Sequence, residues 1–235
     1  MTLLRALITA FPMLLAPLAD AANSVMIWPI DPKIISEDKA SELWLENRGS
    51  ATTLMQVRIF AWQQQEGREQ YQTQQQVVAS PPLVRIEPGQ KQLVRLIKMT
   101  PPPAGQEAAY RVVLDEIPTP QQPGENQAGL RFQMRYSVPL FVYGSGLAPD
   151  SSRPQLSWRT VSESGQRWLE INNRGAIHAR ISKASLNGRS LADGLYGYVL
   201  ANSRHRWPLT FAVSDGAQLS AEVNNSAWRS ASSAR

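Results

Sequence analysis

The sequence has no cysteine and only two histidines, His178 and His205, among its 235 residues. Without cysteine there is no disulfide, no thiol nucleophile and no thiolate zinc site, and two histidines exclude a three-histidine zinc centre. The acidic residues are scattered, and Asp115-Glu116 at a strand end is better explained as a structural pair than as an acid/base couple. We therefore predict that the protein is not an enzyme and uses neither a metal nor a cofactor.

The charge of the chain is modest and is not gathered into a dense run. Lys and Arg number 24 against 19 Asp and Glu, which gives a net charge of +5. This balance permits an acidic or carboxylate-bearing partner but gives no indication of nucleic-acid binding. With 43% hydrophobic and 18% charged residues, the composition is that of a globular protein with a sizeable core.

Long hydrophobic runs are also lacking beyond the N-terminal segment. That segment has a basic residue at Arg5, an apolar stretch over residues 6–18 and small residues in Ala19-Asp20-Ala21. This arrangement predicts a secretory signal peptide over residues 1–21, cleaved after Ala21. The apolar stretch is shorter than the roughly 20 residues that span a bilayer. We expect the mature chain to lie outside the cytoplasm.

Strand-forming segments make up most of the remaining chain. Runs rich in β-branched and aromatic residues alternate with turn residues such as Asn47-Arg48-Gly49 and Glu87-Pro88-Gly89. This spacing predicts an all-β fold of two immunoglobulin-like sandwiches without disulfides. The linker-like composition of residues 144–152 separates an N-terminal domain over residues 22–143 from a C-terminal domain over residues 153–235.

One segment, residues 130–138, alternates strictly between apolar and polar residues. The apolar side consists of Leu130, Phe132, Met134, Tyr136 and Val138. The alternation fits a half-buried strand of a sandwich. It also fits an edge strand whose backbone and apolar side chains extend the sheet of another polypeptide. The pattern alone does not separate these two interpretations.

The order of several short motifs resembles the periplasmic pilus-assembly chaperones of the PapD-like family. In the N-terminal half these are Ser80-Pro-Pro through Gly89, Gln92 through Leu96, Tyr110 through Pro118 and Leu140-Phe-Val-Tyr143. Asn172-Asn-Arg-Gly175, Gly197-Tyr-Val-Leu200 and Arg206-Trp207 resemble the second domain of that family. Each motif is weak alone, but the ordered set is specific and covers nearly all of the mature chain.

The resemblance implies a fold and a mechanism. Members of this family are boomerangs of two immunoglobulin-like domains, and a long strand of the first domain completes the unfinished sandwich of a pilin subunit. In this sequence the matching donor strand is 130–138, with its five apolar residues in the pilin groove. The resemblance further implies delivery of the pilin to an outer-membrane usher. Whether the free protein covers this edge by self-association is left open.

The family also holds the C-terminal carboxylate of the pilin with basic residues in the cleft between the domains, and here the sequence departs from the main pattern. Pro139 stands in place of an expected lysine, Tyr143 in place of an expected arginine, and Asp31 in place of another. Residues 28–33 and 136–140 instead resemble the archaic branch of these chaperones. Arg95, in the middle of an apolar strand, is our first candidate for the carboxylate anchor and Lys33 the second.

Two alternatives to these assignments remain. Arg95 is nearly as well explained by a structural salt bridge with Glu116. An exported sandwich-type binding module, such as an adhesin-like or carbohydrate-binding protein, would use exposed tryptophans such as Trp62 or Trp158 as stacking platforms, although core packing explains both residues better.

Overall fold

The computed structural model of the protein describes residues 25–118, 133–214 and 216–232. Within these ranges the regular elements are β-strands, and no helix there is long and apolar enough to cross a membrane. The all-β prediction is therefore confirmed, with the strands arranged in two sandwiches. The proposed signal peptide over residues 1–21, and Leu130 and Phe132 of the proposed donor strand, lie outside the described residues.

The described part of the first sandwich contains ten strands. They are β1 (Val25–Trp28), β2 (Lys33–Ile34), β3 (Ala40–Asn47), β4 (Thr53–Gln65), β5 (Arg68–Thr73), β6 (Val77–Ser80), β7 (Leu83–Ile86), β8 (Lys91–Lys98), β9 (Glu107–Ile117) and β10 (Arg135–Tyr143). One sheet has the order β1-β3-β8-β6, and the other has the order β2-β10-β9-β4-β5 with β7 also paired to β4. The two sheets enclose a core of aliphatic side chains, as their alternating patterns require.

On strand β4, contact with the second half of the molecule buries a side chain that would otherwise face solvent. Met55, Val57 and Ile59 point into the core, as the alternation predicts. The opposite side faces solvent at Arg58, yet Trp62 on that side is only 2% exposed. Trp62 is buried because the second sandwich packs on this end of the sheet.

The second sandwich contains seven strands within the described residues. They are β11 (Leu156–Glu163), β12 (Gln166–Asn173), β13 (Ala179–Leu186), β14 (Arg189–Val199), β15 (Ser203–Leu209), β16 (Gln218–Val223) and β17 (Ser226–Ala231). They form a three-stranded sheet of order β11-β12-β15 and a four-stranded sheet of order β14-β13-β16-β17. Trp158, Leu169 and Ile171 lie at the centre of its core.

Each sandwich contains the same buried turn, built on an Asn-Arg-Gly sequence. The Asn47 amide donates to the carbonyl oxygens of Ala51 and Ile86, and its side-chain oxygen accepts from the Gly49 N–H. Asn173 has the corresponding contacts in the second sandwich, to the Ile177 carbonyl oxygen and from the Gly175 N–H. Both asparagines are buried, and these hydrogen bonds are what make their burial tolerable.

The two sandwiches are joined along the end of the sheet that carries β10. Their shared apolar cluster contains Trp62, Phe141, Tyr143, Ile177, Tyr198 and Leu200. The β4–β5 hairpin extends beyond its own sandwich, so that the Gly67 carbonyl oxygen accepts from the Arg206 N–H at 3.1 Å. Gly67 has a φ of +80°, and a Cβ there would lie 2.6 Å from the Arg206 side chain. Only glycine fits at this point without displacement.

Candidate functional site

Strand β10 has an open edge over most of its length. It pairs with β9 from end to end, whereas on its other side β2 meets it only at Phe141 and Val142. Within the described residues, positions 135–140 therefore have no strand partner on that side. Backbone N–H and C=O groups along such an edge are ready to pair with another polypeptide.

The inward side of β10 passes from the core to solvent toward its N-terminal end. Val138 is buried, Tyr136 is partly buried against the core, and Met134, just before the strand, is 41% exposed. Leu130 and Phe132 continue this alternation in the sequence, outside the described residues. Val138 already belongs to the core of its own sandwich, so the structure leaves it unavailable to a partner, in contrast to our prediction.

An ion-pair network on the outward side fixes the start of β10 against β9. The Asp115 carboxylate accepts hydrogen bonds from Arg135 of β10 and, at 2.6 Å, from Arg58 of β4. Burial alone would raise the pKa of Asp115, but the two guanidinium groups outweigh it and hold the pKa below its ordinary value. These contacts fix Arg135, the first residue of β10, where the open edge begins.

A cleft of about 480 Å³ opens between the two sandwiches beside β10. Its lining includes Lys33 of β2 together with Arg153 and Arg180, and the carboxylates of Asp31 and Asp150. Of the two predicted anchor candidates, the structure brings Lys33 to this cleft. Arg153 is a fixed part of the lining, because it donates to the Asp150 and Ser152 carbonyl oxygens.

Arg95 lies elsewhere. It is exposed on the outer side of the β1-β3-β8-β6 sheet, opposite Glu42 of β3, and it is absent from the cleft lining. Glu116 belongs to the other sheet, where its carboxylate accepts hydrogen bonds from the Thr53 hydroxyl and the Met134 N–H. The predicted pairing of Arg95 with Glu116 is wrong, because the prediction assumed an inward-pointing arginine and Arg95 points to solvent.

Arg111 is a basic residue next to β10 that sequence reasoning missed, and it lies outside the lining of the cleft. It lies on β9 directly opposite Pro139 of β10. Its guanidinium stacks 3.7 Å above the Trp62 ring and 5.4 Å from the Tyr198 ring. It forms no ion pair within the described residues, and its buried Nε has no hydrogen-bond partner there. An arginine inside an apolar strand was the same sequence feature that led us to Arg95.

A buried polar contact between Glu107 and His178 holds the first sandwich to the second next to β10. The Glu107 carboxylate accepts the backbone N–H of His178 at 2.9 Å and lies 2.8 Å from its Nδ1, with side chains only 1% and 10% exposed. The His178 ring stacks flat on Phe141 of β10 at 3.4 Å. Burial and the neighbouring Glu107 carboxylate raise the pKa of Tyr143, which therefore stays neutral.

A second polar contact joins the sandwiches on the hairpin side. The buried Gln64 amide donates to the Tyr198 carbonyl oxygen at 2.8 Å and accepts the Leu200 N–H at 2.9 Å. Both backbone groups belong to the second sandwich, so this contact fixes β4 to it.

The two tryptophans considered as stacking platforms for a carbohydrate are not available at the surface. Trp62 and Trp158 are both buried, and the Trp158 Nε1 donates to the Ser230 carbonyl oxygen inside the second sandwich. Neither tryptophan can act as a stacking platform, which confirms the core-packing interpretation. No group of three His, Asp or Glu residues in the described ranges is placed to hold a metal ion.

The sequence matches a family model described as "Pili and flagellar-assembly chaperone, PapD N-terminal domain" over residues 33–148. It is 23% identical over 199 residues to an uncharacterized fimbrial chaperone, YbgP, of Escherichia coli (strain K12), covering 83% of this chain and 79% of that protein.

Solved structures give the same picture. The chain is 32% identical to one in the CsuC-CsuE chaperone-tip adhesion subunit pre-assembly complex from archaic chaperone-usher Csu pili of Acinetobacter baumannii. The TM-score is 0.73, and the match covers 88% of this chain and 96% of that one. The SafB chaperone complex with SafA pilin from Salmonella enterica matches in fold, with 15% identity, a TM-score of 0.63 and coverage of 90% and 95%.

Proposed function

The chain belongs to the PapD-like family of pilus-assembly chaperones, and from that premise we propose that β10 completes the fold of a pilin subunit by donor-strand complementation. The observation that carries the proposal is the open edge of β10 at positions 135–140. The CsuC and SafB structures support it, since each contains a chaperone in complex with a pilus subunit. The completed subunit would then pass to an outer-membrane usher.

The energy of capture comes from side chains that continue beyond the chaperone's own core. Leu130, Phe132 and Met134 extend into the pilin groove, and Tyr136 contributes its exposed part. Each apolar side chain of this size that leaves water contributes ~1.5–3 kcal/mol of transfer free energy. The strand pairing fixes the register, because a slip of one residue would turn every apolar side chain away from the groove.

The cleft beside β10 receives the C-terminal carboxylate of the pilin, with Lys33 in its lining as the first anchor and Arg111, outside the lining but on the neighbouring strand, as the second. Lys33 lines the cleft, and Arg111 lies on the strand next to Pro139, where a lysine was expected. Arg111 has no carboxylate partner among the described residues, and its stacking on Trp62 fixes the plane of the guanidinium. A carboxylate bound there gains charge-assisted hydrogen bonds in a partly desolvated site.

Chaperones of this family act in the periplasm, and the N-terminal segment of the chain supports the same location. A signal peptide over residues 1–21 would direct export. The mature protein then consists of the domain over residues 22–143, the linker 144–152 and the domain over residues 153–235.

Co-expression with a pilin, purification of the complex and measurement of subunit yield test the donor strand. Met134→Glu is expected to reduce capture at least tenfold, because a carboxylate would be buried in the groove. Met99→Glu is the matched control, since Met99 is also exposed but lies beyond β8 on the other sheet. Normal capture by the Met134 variant, or equal loss in both variants, would remove this strand from the pilin interface.

The carboxylate anchor is tested separately by the dissociation rate of the purified complex. Lys33→Gln and Arg111→Gln are each expected to accelerate dissociation about 10- to 100-fold, as befits a hydrogen-bonded charge. Arg95→Gln is the control and should leave the rate unchanged. A pilin with an extended C-terminus should dissociate quickly and lose its sensitivity to both variants; persistent sensitivity would contradict the assignment.

A further inference from the structure

The positive charge of the protein belongs to its second half. Residues 22–143 contain 12 Lys and Arg and 12 Asp and Glu, whereas residues 153–235 contain 11 basic and 5 acidic residues. Ten of those 11 basic residues are arginine. Guanidinium groups are suited to phosphate oxygens, which they bind in a bidentate manner. The second sandwich is therefore a basic domain attached to a neutral one.

Four of these arginines lie on one face, the outer side of the β11-β12-β15 sheet and its adjoining turn. The register places Arg159 opposite Glu170, Glu170 opposite Arg206 and Asn172 opposite Arg204. Arg174 follows β12 in the Asn173 turn. A groove of about 500 Å³ is lined by Arg159, Arg174 and Arg204 together with the donors Ser157 and Asn202, and Arg206 lies beside it. We call this surface the arginine face.

The carboxylates near the arginine face lie at its Arg206 end, where Glu66, Glu69 and Glu163 line a pocket with Trp168. Glu170 accepts from Arg159 at 2.7 Å and from Arg206 at 2.6 Å, and Glu163 accepts from Arg206 at 2.9 Å. Arg174 and Arg204 are exposed and have no ion-pair partner within the ranges that the structure describes. Two guanidinium groups are therefore held in position and two are available to an anion.

An apolar edge adjoins the arginines on the same sheet. Trp168 of β12 lies opposite Val161 of β11 and Pro208 of β15, and it is only partly buried. A tryptophan ring next to a group of arginines suits the boundary of a bilayer, where the ring lies at the level of the headgroups.

We propose that the arginine face binds the surface of a bilayer that carries anionic phospholipids. Phosphate groups of the lipids occupy the groove, and Trp168 rests among the headgroups. None of the residues lining the groove lines the cleft with Lys33, so the bilayer and a pilin subunit can be bound together. Such binding would hold the chaperone where exported subunits leave the membrane.

Flotation of the purified full chain with vesicles tests the proposal. Vesicles of phosphatidylcholine with phosphatidylglycerol should carry the protein, vesicles of phosphatidylcholine alone should not, and added salt should weaken binding. Arg174→Gln/Arg204→Gln should lower the partition coefficient about 25-fold, at about fivefold for each arginine. Both residues are exposed, so the variant should fold normally and should still capture pilin.

The matched control is Lys183→Gln/Arg229→Gln, which removes the same charge from the four-stranded sheet of the same sandwich. It should change binding less than twofold. Equal loss in both variants, or release by millimolar inorganic phosphate at constant ionic strength, would overturn a lipid-specific face. Absence of vesicle binding together with impaired pilus assembly by the Arg174/Arg204 variant would assign the face to a protein instead. Each of these results is independent of pilin capture by β10.

Discussion

At the scale of single residues, the positions that tolerate the fewest side chains are those of the two buried asparagines. Asn173 joins the Gly175 turn to the carbonyl oxygens of Ile177 and Leu200, and it also accepts the Gln155 N–H. No other side chain offers two donors and an acceptor in so small a volume. Asn47 is in the same situation in the first sandwich, which explains why both turns share one sequence.

Asn173→Leu is expected to lower the free energy of unfolding by about 2–4 kcal/mol, because several buried backbone groups lose their partners. Urea denaturation at constant m-value measures the change. Asn172→Leu, on the outward side of the same strand, should change the value by less than about 0.5 kcal/mol. Similar losses for the two variants would show that the effect comes from strand β12 in general.

Glu170 makes the stability of the second sandwich depend on pH. Burial acts to raise its pKa, but the hydrogen bonds from Arg206 and Arg159 lower it below the ordinary value. The carboxylate therefore contributes stability above its unfolded pKa of about 4.3, and the contribution disappears as the pH falls through the folded pKa.

Glu170→Gln should cost about 1–2 kcal/mol at pH 7 and progressively less below about pH 4. Unfolding by urea between pH 3 and pH 7 measures the difference between the two proteins. Lys183 pairs with Glu222 on the exposed surface, so Glu222→Gln provides a control with little change at any pH. A constant difference over the whole range would exclude the ion pairs as the cause.

Arg95 and Arg111 show where residue-level prediction ends. Both stand between apolar residues of a strand, so composition and alternation describe them alike. Whether the arginine side chain faces solvent, as at Arg95, or stacks on aromatic rings at the junction, as at Arg111, depends on which sheet its strand joins. Strand pairing joins positions far apart in the sequence, and no local pattern contains it.

At the scale of elements, the β4–β5 hairpin contacts the second sandwich, which its sequence does not predict. Its glutamine-rich, exposed strands are typical of a solvent-facing hairpin, yet Gln64 and Gly67 both bond to the second sandwich. Strand β10 was easier to predict. Its alternation allowed either a core strand or an edge strand, and the structure contains both, since Val138 is buried and Met134 is exposed.

Gly67→Ala is expected to destabilise the protein by about 2–3 kcal/mol, from the cost of a positive φ and from the contact with Arg206. Gly165→Ala separates the two causes, because Gly165 has a φ of +78° and a Cβ added there would meet no atom within 4 Å. The control should lose only about 1 kcal/mol. Equal losses in thermal denaturation would show that the hairpin contact contributes nothing.

At the scale of the whole molecule, the two sandwiches meet at one junction that is both apolar and hydrogen-bonded. The sequence predicted two domains and an exported chain of this family. It could not predict the junction, since Trp62, Glu107 and His178 each have an ordinary explanation within their own half. Only the packing of one sandwich on the other shows that they meet.

Glu107→Leu should uncouple the sandwiches, because His178 keeps its buried ring N–H and backbone N–H without an acceptor. We expect a loss of about 2–4 kcal/mol and the replacement of one calorimetric transition by two. Small-angle X-ray scattering should show a wider range of particle dimensions. Glu222→Leu, at an exposed pair, should retain a single transition. A single, unshifted transition in Glu107→Leu would show that the apolar cluster suffices.

The aromatic junction can be covered only after the second sandwich has been synthesised. A chain that emerges from its N-terminus can finish the first sandwich once Tyr143 has appeared, but Trp62 and Phe141 stay uncovered until Tyr198 and Leu200 follow. During that interval the nascent protein exposes this apolar surface beside the open edge of β10. The surface stays exposed until the chain has extended from residue 143 to residue 200.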